Sequence, residues 1–195
     1  MRSSPFATVP LAPKDPILGI TEQFLADPRP DKVNLGVGVY YDGDGRLPLL
    51  KSVQHAEATL AEAHGARGYL PIDGIAPYNK AVKSLLFGAD SPLLVEGRLL
   101  TVQALGGTGA LRIGADLLKR FTGDSAVYIS DPSWENHRAL FEASGFPVKQ
   151  YPYYDPGTHA VKFEAMLQAL SEAPASSIIV LHACCHNPTG VDLSP

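Results

Sequence analysis

Cysteine is nearly absent from this chain: only Cys184 and Cys185 occur among 195 residues, and they are adjacent. Read as strand neighbours, they point to opposite faces and make poor disulfide partners. A reducing cytoplasm is the setting this implies. Basic excess is absent too. The net charge of −4 leaves no broad cationic surface for nucleic acid or an anionic membrane. No apolar run approaches the roughly 20 residues of a membrane span. The N-terminus has one arginine and scattered prolines, without the apolar stretch of a secretory signal. Internal repeats and low-complexity segments are lacking as well. What is present is the composition of a chain with a core, 45% hydrophobic and 18% charged.

Residues 1–31 are proline-rich and aperiodic apart from Ile17–Leu25, which suits one or two helical turns, so this stretch reads as an arm. Val33–Tyr41 alternates like a strand before the tight turn Asp42-Gly43-Asp44-Gly45. Val53, Ala56, Leu60 and Ala63 share a helix face that His64-Gly65 ends. Tyr78, Ala81, Val82, Leu85 and Leu86 mark a second helix, closed by Gly88. From Leu99 the pattern alternates. Strands are expected at Leu99–Ala104, Ala126–Ser130, Pro147–Tyr153 and Ser177–Cys185. Helices are expected near Thr108–Phe121, Glu135–Ser144 and Phe163–Leu170, the first with Leu111, Leu117, Leu118 and Phe121 facing the core. Such alternation specifies an α/β fold, a mostly parallel sheet covered by helices.

Three constellations carry possible chemistry. Leu105-Gly106-Gly107-Thr108-Gly109-Ala110 joins a strand to a helix. Its glycines let backbone N–H groups approach a ligand, and the helix N-terminus favours a phosphate. The Walker pattern is missing, since no Lys-Ser/Thr follows, and Arg112 replaces the third glycine of a dinucleotide fingerprint. Asp131-Pro132-Ser133-Trp134-Glu135-Asn136-His137 leaves the second strand at its carboxyl end, where parallel sheets bind ligands. Trp134 either stacks on a planar cofactor or plugs the sheet end. His137 shares its helix face and reads alone as a cap or core histidine. The third constellation is His182 to Gly190. His182, Cys184, Cys185 and His186 alternate along a strand and cannot converge on one ion, so no metal site is expected. Asn187 is either an Asx-turn residue or a donor to a ligand oxygen. Tyr69 and Gly38 are uninformative alone.

Together these pieces resemble the aspartate and aromatic (tyrosine) aminotransferases, class I pyridoxal-phosphate enzymes. The resemblance runs nearly end to end. It is carried by Asp-Pro-Ile-Leu-Gly at 15–19, Lys-Val-Asn-Leu-Gly-Val-Gly-Val-Tyr at 32–40 and Tyr-Leu-Pro-Ile-Asp-Gly at 69–74. Gly-Gly-Thr-Gly-Ala-Leu-Arg at 106–112, Asp-Pro-Ser-Trp-Glu-Asn-His at 131–137 and Cys-Cys-His-Asn-Pro-Thr-Gly at 184–190 complete it. Ala183 departs from the glycine or proline of close family forms, a small change. The resemblance implies the large domain of the type I pyridoxal-phosphate transferase fold, incomplete over 49–195, preceded by an arm and small-domain segment over 1–48. It implies pyridoxal 5′-phosphate as cofactor, amino acid and 2-oxo acid as substrates, and a cytoplasmic homodimer. Gly107 and Thr108 would bind the cofactor phosphate, Trp134 would stack on the ring, and Asn187 would bond its phenolic oxygen. Tyr69 would reach the partner subunit's cofactor, and Gly38 would offer its N–H to the substrate carboxylate. His137 and His182 would lie beneath the ring, supporting the carboxylate that pairs with the pyridine nitrogen. His186 keeps a structural reading.

The family's Schiff-base lysine, its pyridine-nitrogen aspartate and its substrate arginines lie further along than this sequence runs. None of the eight lysines (14, 32, 51, 80, 83, 119, 149 and 162) carries the lysine's surrounding motif. The sequence also stops at Ser194-Pro195, where a helix should begin. It therefore reads as the N-terminal part of an aminotransferase, inactive by itself. The alternative is a non-catalytic, truncated or decayed gene product that retains part of the cofactor cradle.

Overall fold

The computed structural model describes residue 7 and residues 16–34, 36 and 38–194, with 16–18 described in backbone only. Most of the proline-rich arm, and Leu35 and Val37 of the alternating segment, lie outside the described residues. The chain divides into two compact units, Met1–Arg67 and Gly68–Pro195.

In the first unit, α1 (Pro16–Ala26) ends where the Lys32 ammonium donates to the Phe24 carbonyl at 2.6 Å and sits 4.5 Å above the Phe24 ring. A cation at the last carbonyls of a helix is the favourable end for it. The turn after Val39–Tyr41 forms as expected. Asp42 Oδ1 accepts from the N–H groups of Asp44 and Arg46, and Gly45 takes φ +71°. The strand expected over 33–41 does not form among the described residues. The Asp42 N–H to Arg46 carbonyl (2.9 Å) and Gly45 N–H to Asp42 carbonyl (3.0 Å) bonds close the turn without a ladder beyond it, and Val39, Tyr40 and Tyr41 are exposed. Alternation marks a strand only where a second strand accepts its bonds. α2 (Lys51–Glu62) follows, its apolar residues Val53 and Leu60 exposed.

The second unit holds the α/β layer. α3 (Ala76–Phe87) closes at Gly88, and a short α4 (Pro92–Val95) follows. The strand expected at Leu99–Ala104 is extended chain without a sheet partner among the described residues. Its Gln103 bonds the loop before α3 instead, donating its N–H to the Asp73 carbonyl and accepting the Ile75 N–H on Oε1. Gly74 in that loop has φ +93°, and a Cβ there would stand 2.3 Å from Gln103 Cβ, so glycine is required.

After α5 (Gly106–Thr122) come β1 (Val127–Asp131), α6 (Glu135–Ala143), β2 (Val148–Pro152), a hairpin of β3 (Tyr154–Asp155) and β4 (Ala160–Val161), α7 (Phe163–Ser171) and β5 (Ile178–Ile179). The sheet order is β2-β1-β5, all parallel, with Val127 opposite both Val148 and Ile178. The antiparallel β3–β4 pair stands apart, its turn held by Asp155. Central β1 is buried on both faces, as a covered parallel strand must be. Val127 and Ile129 pack with Ala115 of α5 and Leu140 and Phe141 of α6. Tyr128 packs on the other face with Tyr151, Tyr153 and Met166.

On α5 the expected core face is only partly right. Leu111 packs against the core and Ala115 is the buried residue, while Leu117, Leu118 and Phe121 are exposed. At 3.6 residues per turn, 111 and 115 form one stripe with Leu118 at its exposed edge, and 113, 117 and 121 form another about 130° away. The helix is apolar on two sides, and this layer covers one. β5 is shorter than the expected Ser177–Cys185. Val180 adds one bond to Tyr128, and the chain then bends at 183–185.

Candidate active-site cleft

The carboxyl ends of β1 and β5 open into a cleft of about 290 Å³. It is lined by Leu111 from α5, Trp134 and His137 at the start of α6, and Val180, Leu181, His182, Cys184 and Asn187 from the segment after β5. Residues some fifty positions apart meet here because parallel strands put all their carboxyl ends on one edge.

Each wall is fixed by its own bonds. Trp134 is the N-cap residue of α6, its carbonyl accepting the His137 N–H at 2.9 Å. The His137 ring lies edge-on to the indole at 5.2 Å, with Nδ1 2.9 Å from Ser133 Oγ. α5 starts opposite. Its N-cap Leu105 makes no side-chain capping bond and its first turn has no acidic residue. First-turn N–H groups therefore remain available for an anion. Gly107 and Thr108 are exposed there, and Thr108 Oγ1 accepts from Asn136 Nδ2 at 3.0 Å, tying the glycine-rich turn to the Trp134 segment.

The Asn187 wall rests on histidines. His182 Nδ1 accepts the Asn187 N–H at 3.0 Å, so its neutral ring carries the proton on Nε2. That Nε2 is buried without a hydrogen-bond partner. His186, 2% exposed, lies between the rings of Tyr153 (4.0 Å) and His182 (4.2 Å). Its Nε2 is 2.9 Å from Ser130 Oγ and its Nδ1 2.8 Å from Thr189 Oγ1. Asp192 accepts the N–H groups of Cys185 and His186, both at 2.8 Å, and locks the bend.

Burial disfavours charge on these rings. It lowers His137 and His182, with the charge of His182 adding to the effect on His137. Burial and the neighbouring His182 bring His186 to about 4, against an opposing pull from Asp192. All three are neutral at pH 7. They shape the cleft without charging it.

Of the residues the sequence singled out, Trp134, His137, His182 and Asn187 therefore meet in one cleft, with Thr108 bonded to its rim. Tyr69 is fully exposed and does not line it. Gly38 belongs to the first unit, where it lines a separate cleft with Phe24, Lys32 and Asn34. Sequence reasoning missed Ser130, Tyr153, Asn136 and Asp192. Asn136 lies inside a motif already marked, and its spacing from Thr108 gives no hint of their bond.

Comparison with known proteins adds to this geometry. The family model for aminotransferase class I and II matches residues 30–195. The aspartate aminotransferase of Pseudomonas aeruginosa is 62% identical over 188 residues, covering 96% of this chain and 47% of that protein. The aromatic-amino-acid aminotransferase of Escherichia coli K12 is 54% identical over 181 residues, covering 92% and 46%. The crystal structure of an aromatic-amino-acid aminotransferase from Burkholderia pseudomallei, covalently bound to pyridoxal phosphate, superposes with a TM-score of 0.92 at 60% identity. It is matched over 98% of this chain and 48% of its own. The chain thus spans about half the length of the relatives it matches.

Proposed function

The chain belongs to the aminotransferase class I and II family, and we propose that its cleft is the cradle of pyridoxal 5′-phosphate. The parent enzyme would move an amino group between an aromatic or dicarboxylic amino acid and a 2-oxo acid. One observation carries this reading: an indole and an amide line one cleft, and the uncapped glycine-rich helix start is tied beside it by the Asn136 to Thr108 bond.

The residues suit the group chemically. Gly107 and Thr108 offer backbone N–H groups and a hydroxyl to its phosphate, at the positive end of a 17-residue helix. Trp134 gives an aromatic face for the ring, and Asn187 a donor for its phenolic oxygen. Leu111, Val180 and Leu181 supply apolar walls. His182 orients Asn187 through the Asn187 N–H. In this reading His137 and His182 support, from beneath, the carboxylate that pairs with the pyridine nitrogen. When bound, pyridoxal phosphate supplies an electron sink for the bond broken at the substrate's Cα.

Gly38 would give its N–H to the substrate carboxylate, and the exposed Tyr69 would serve the cofactor of a second subunit, which makes the working form a homodimer. Residues 49–195 would be the incomplete cofactor-binding large domain and 1–48 the arm and small-domain segment. No helix among the described residues is long and apolar enough to cross a membrane.

The lining of the cleft includes no lysine. The 195-residue chain should therefore bind the cofactor without turnover, as would a non-catalytic chain that keeps only the cradle. Equilibrium dialysis with pyridoxal phosphate, with inorganic phosphate as competitor, tests the cradle. Assaying the same mixture with aspartate or tyrosine plus 2-oxoglutarate tests inactivity. Failure to bind would defeat the first claim, and measurable transamination the second.

A further inference from the structure

A second cavity, of about 570 Å³, lies wholly within the second unit, between α3 and the chain that returns through α4 to Leu99–Thr101. It shares no residue with the cleft at the ends of β1 and β5. Helical spacing puts Ala76, Lys80, Lys83 and Ser84 on one face of α3, and that face forms one wall. Backbone bonds hold the returning chain opposite. Gln103 ties its far end to the loop before α3, through the Asp73 carbonyl and the Ile75 N–H, both at 3.0 Å. The Arg98 N–H to Leu93 carbonyl bond, also 3.0 Å, closes the end of α4. Little ordering is therefore left for a ligand to impose.

The lining leaves polar groups unanswered. Asn79, 7% exposed, lines the cavity and donates Nδ2 to the Asp73 carbonyl at 2.8 Å, which fixes the orientation of its amide. Its Oδ1 is buried and accepts no hydrogen bond among the described residues. A buried acceptor left without a donor is costly. The Lys80 and Lys83 ammonium groups have no ion-pair partner among the described residues, and the Ser84 and Thr101 hydroxyls donate to none of them. Asp73 also lines the cavity, so two lysines against one aspartate leave a single positive charge in excess.

We propose that this cavity binds an amphiphilic hydroxycarboxylate. Its carboxylate would lie with Lys80 and Lys83, its apolar body against Leu94 and Leu99, and its hydroxyl would donate to Asn79 Oδ1. The lone excess charge selects a monoanion, because Asp73 repels the second charge of a phosphate dianion. The free amide oxygen can only accept, so the ligand must bring the donor. The volume lies within the range of small-molecule sites. The site does not depend on what the cleft beside Trp134 binds, and the two readings fail separately.

Equilibrium dialysis of the 195-residue chain with 6-hydroxy-2-naphthoate tests this, and binding should saturate at one equivalent. The methyl ether, 6-methoxy-2-naphthoate, keeps the charge but loses the donor. It should bind about three- to tenfold more weakly, the worth of one hydrogen bond. That comparison uses the wild type alone and needs no variant to fold. The double variant Lys80→Met, Lys83→Met keeps both apolar stems and removes both charges. It should bind the hydroxynaphthoate about three- to tenfold more weakly, and uncharged 2-naphthol as the wild type does. Pyridoxine 5′-phosphate, which has the cofactor's ring and phosphate but no aldehyde to react with lysine, should not displace the ligand. Absence of saturable binding, or equal affinity for the hydroxy and methoxy acids, overturns the proposal. Wild-type affinity in the double variant, or displacement by pyridoxine phosphate, overturns it as well.

Discussion

Lowering the pH from 7 to 5 should weaken the fold through His186. In the folded chain its imidazole, buried between Tyr153 and His182, titrates at about 4, against about 6.5 when unfolded. The folded value is the lower one, so between these limits the unfolded chain binds more protons. Stability is therefore full above the unfolded pKa and falls as protons are added. Linkage across such a shift gives a loss of about 2 kcal/mol by pH 5 and about 3 kcal/mol by pH 4. His137 and His182 shift in the same direction and steepen the wild-type curve. A His186→Gln variant removes one titration and keeps the other two. Urea unfolding followed by far-ultraviolet circular dichroism, on both proteins from pH 7 to pH 5, isolates His186. Its absolute stability is irrelevant, because only the slope matters. The gap between wild type and variant should change by about 2 kcal/mol over this range, the wild type losing more. A pH-independent gap would refute the argument that His186 is held neutral by burial.

Phe141→Ala, in the core at 4% exposure, should cost about 3–5 kcal/mol in urea unfolding. Phe121→Ala, on the uncovered stripe of α5 at 79% exposure, should cost under about 0.5 kcal/mol. Gly74→Ala meets both a left-handed φ and the Gln103 side chain, so the melting temperature should fall, by about 1–3 kcal/mol in stability. Gly107→Ala meets nothing within 4 Å and should leave stability within about 1 kcal/mol of wild type. Any loss of pyridoxal phosphate affinity in Gly107→Ala, measured by equilibrium dialysis, then reports on the phosphate cradle.

How much could be read in advance depended on whether a residue's partner was near in sequence. β1 was legible because it is a short apolar run between turn signals, and α6 and α7 because one apolar stripe dominates. The 33–41 and 99–104 segments carry the same strand-like pattern, yet among the described residues no neighbouring strand accepts their bonds. Pattern reports the capacity to pair, and pairing also needs a partner. Leu117 and Phe121 were misplaced for a related reason: α5 has two apolar stripes, and composition alone does not say which one this layer covers. Trp134 and Asn187 could be placed because carboxyl ends of parallel strands share an edge. The His186 cluster could not. Ser130 and Tyr153 meet it only through tertiary packing, with no local spacing to announce it, and Asp192 closes a local bend that was read as strand. Cys184 and Cys185, free as expected, were placed in a strand because β5 was taken to run six residues beyond Ile179.

The central claim is that Trp134, Asn187 and the Thr108 turn surround one flat, phosphorylated ligand. Titrating the chain with pyridoxal phosphate while following Trp134 emission tests it most directly. The wild type should show saturable quenching that inorganic phosphate reverses, and Asn187→Ala should weaken the affinity about two- to tenfold, the worth of one hydrogen bond. Quenching that never saturates, or that Asn187→Ala and phosphate leave untouched, would contradict it.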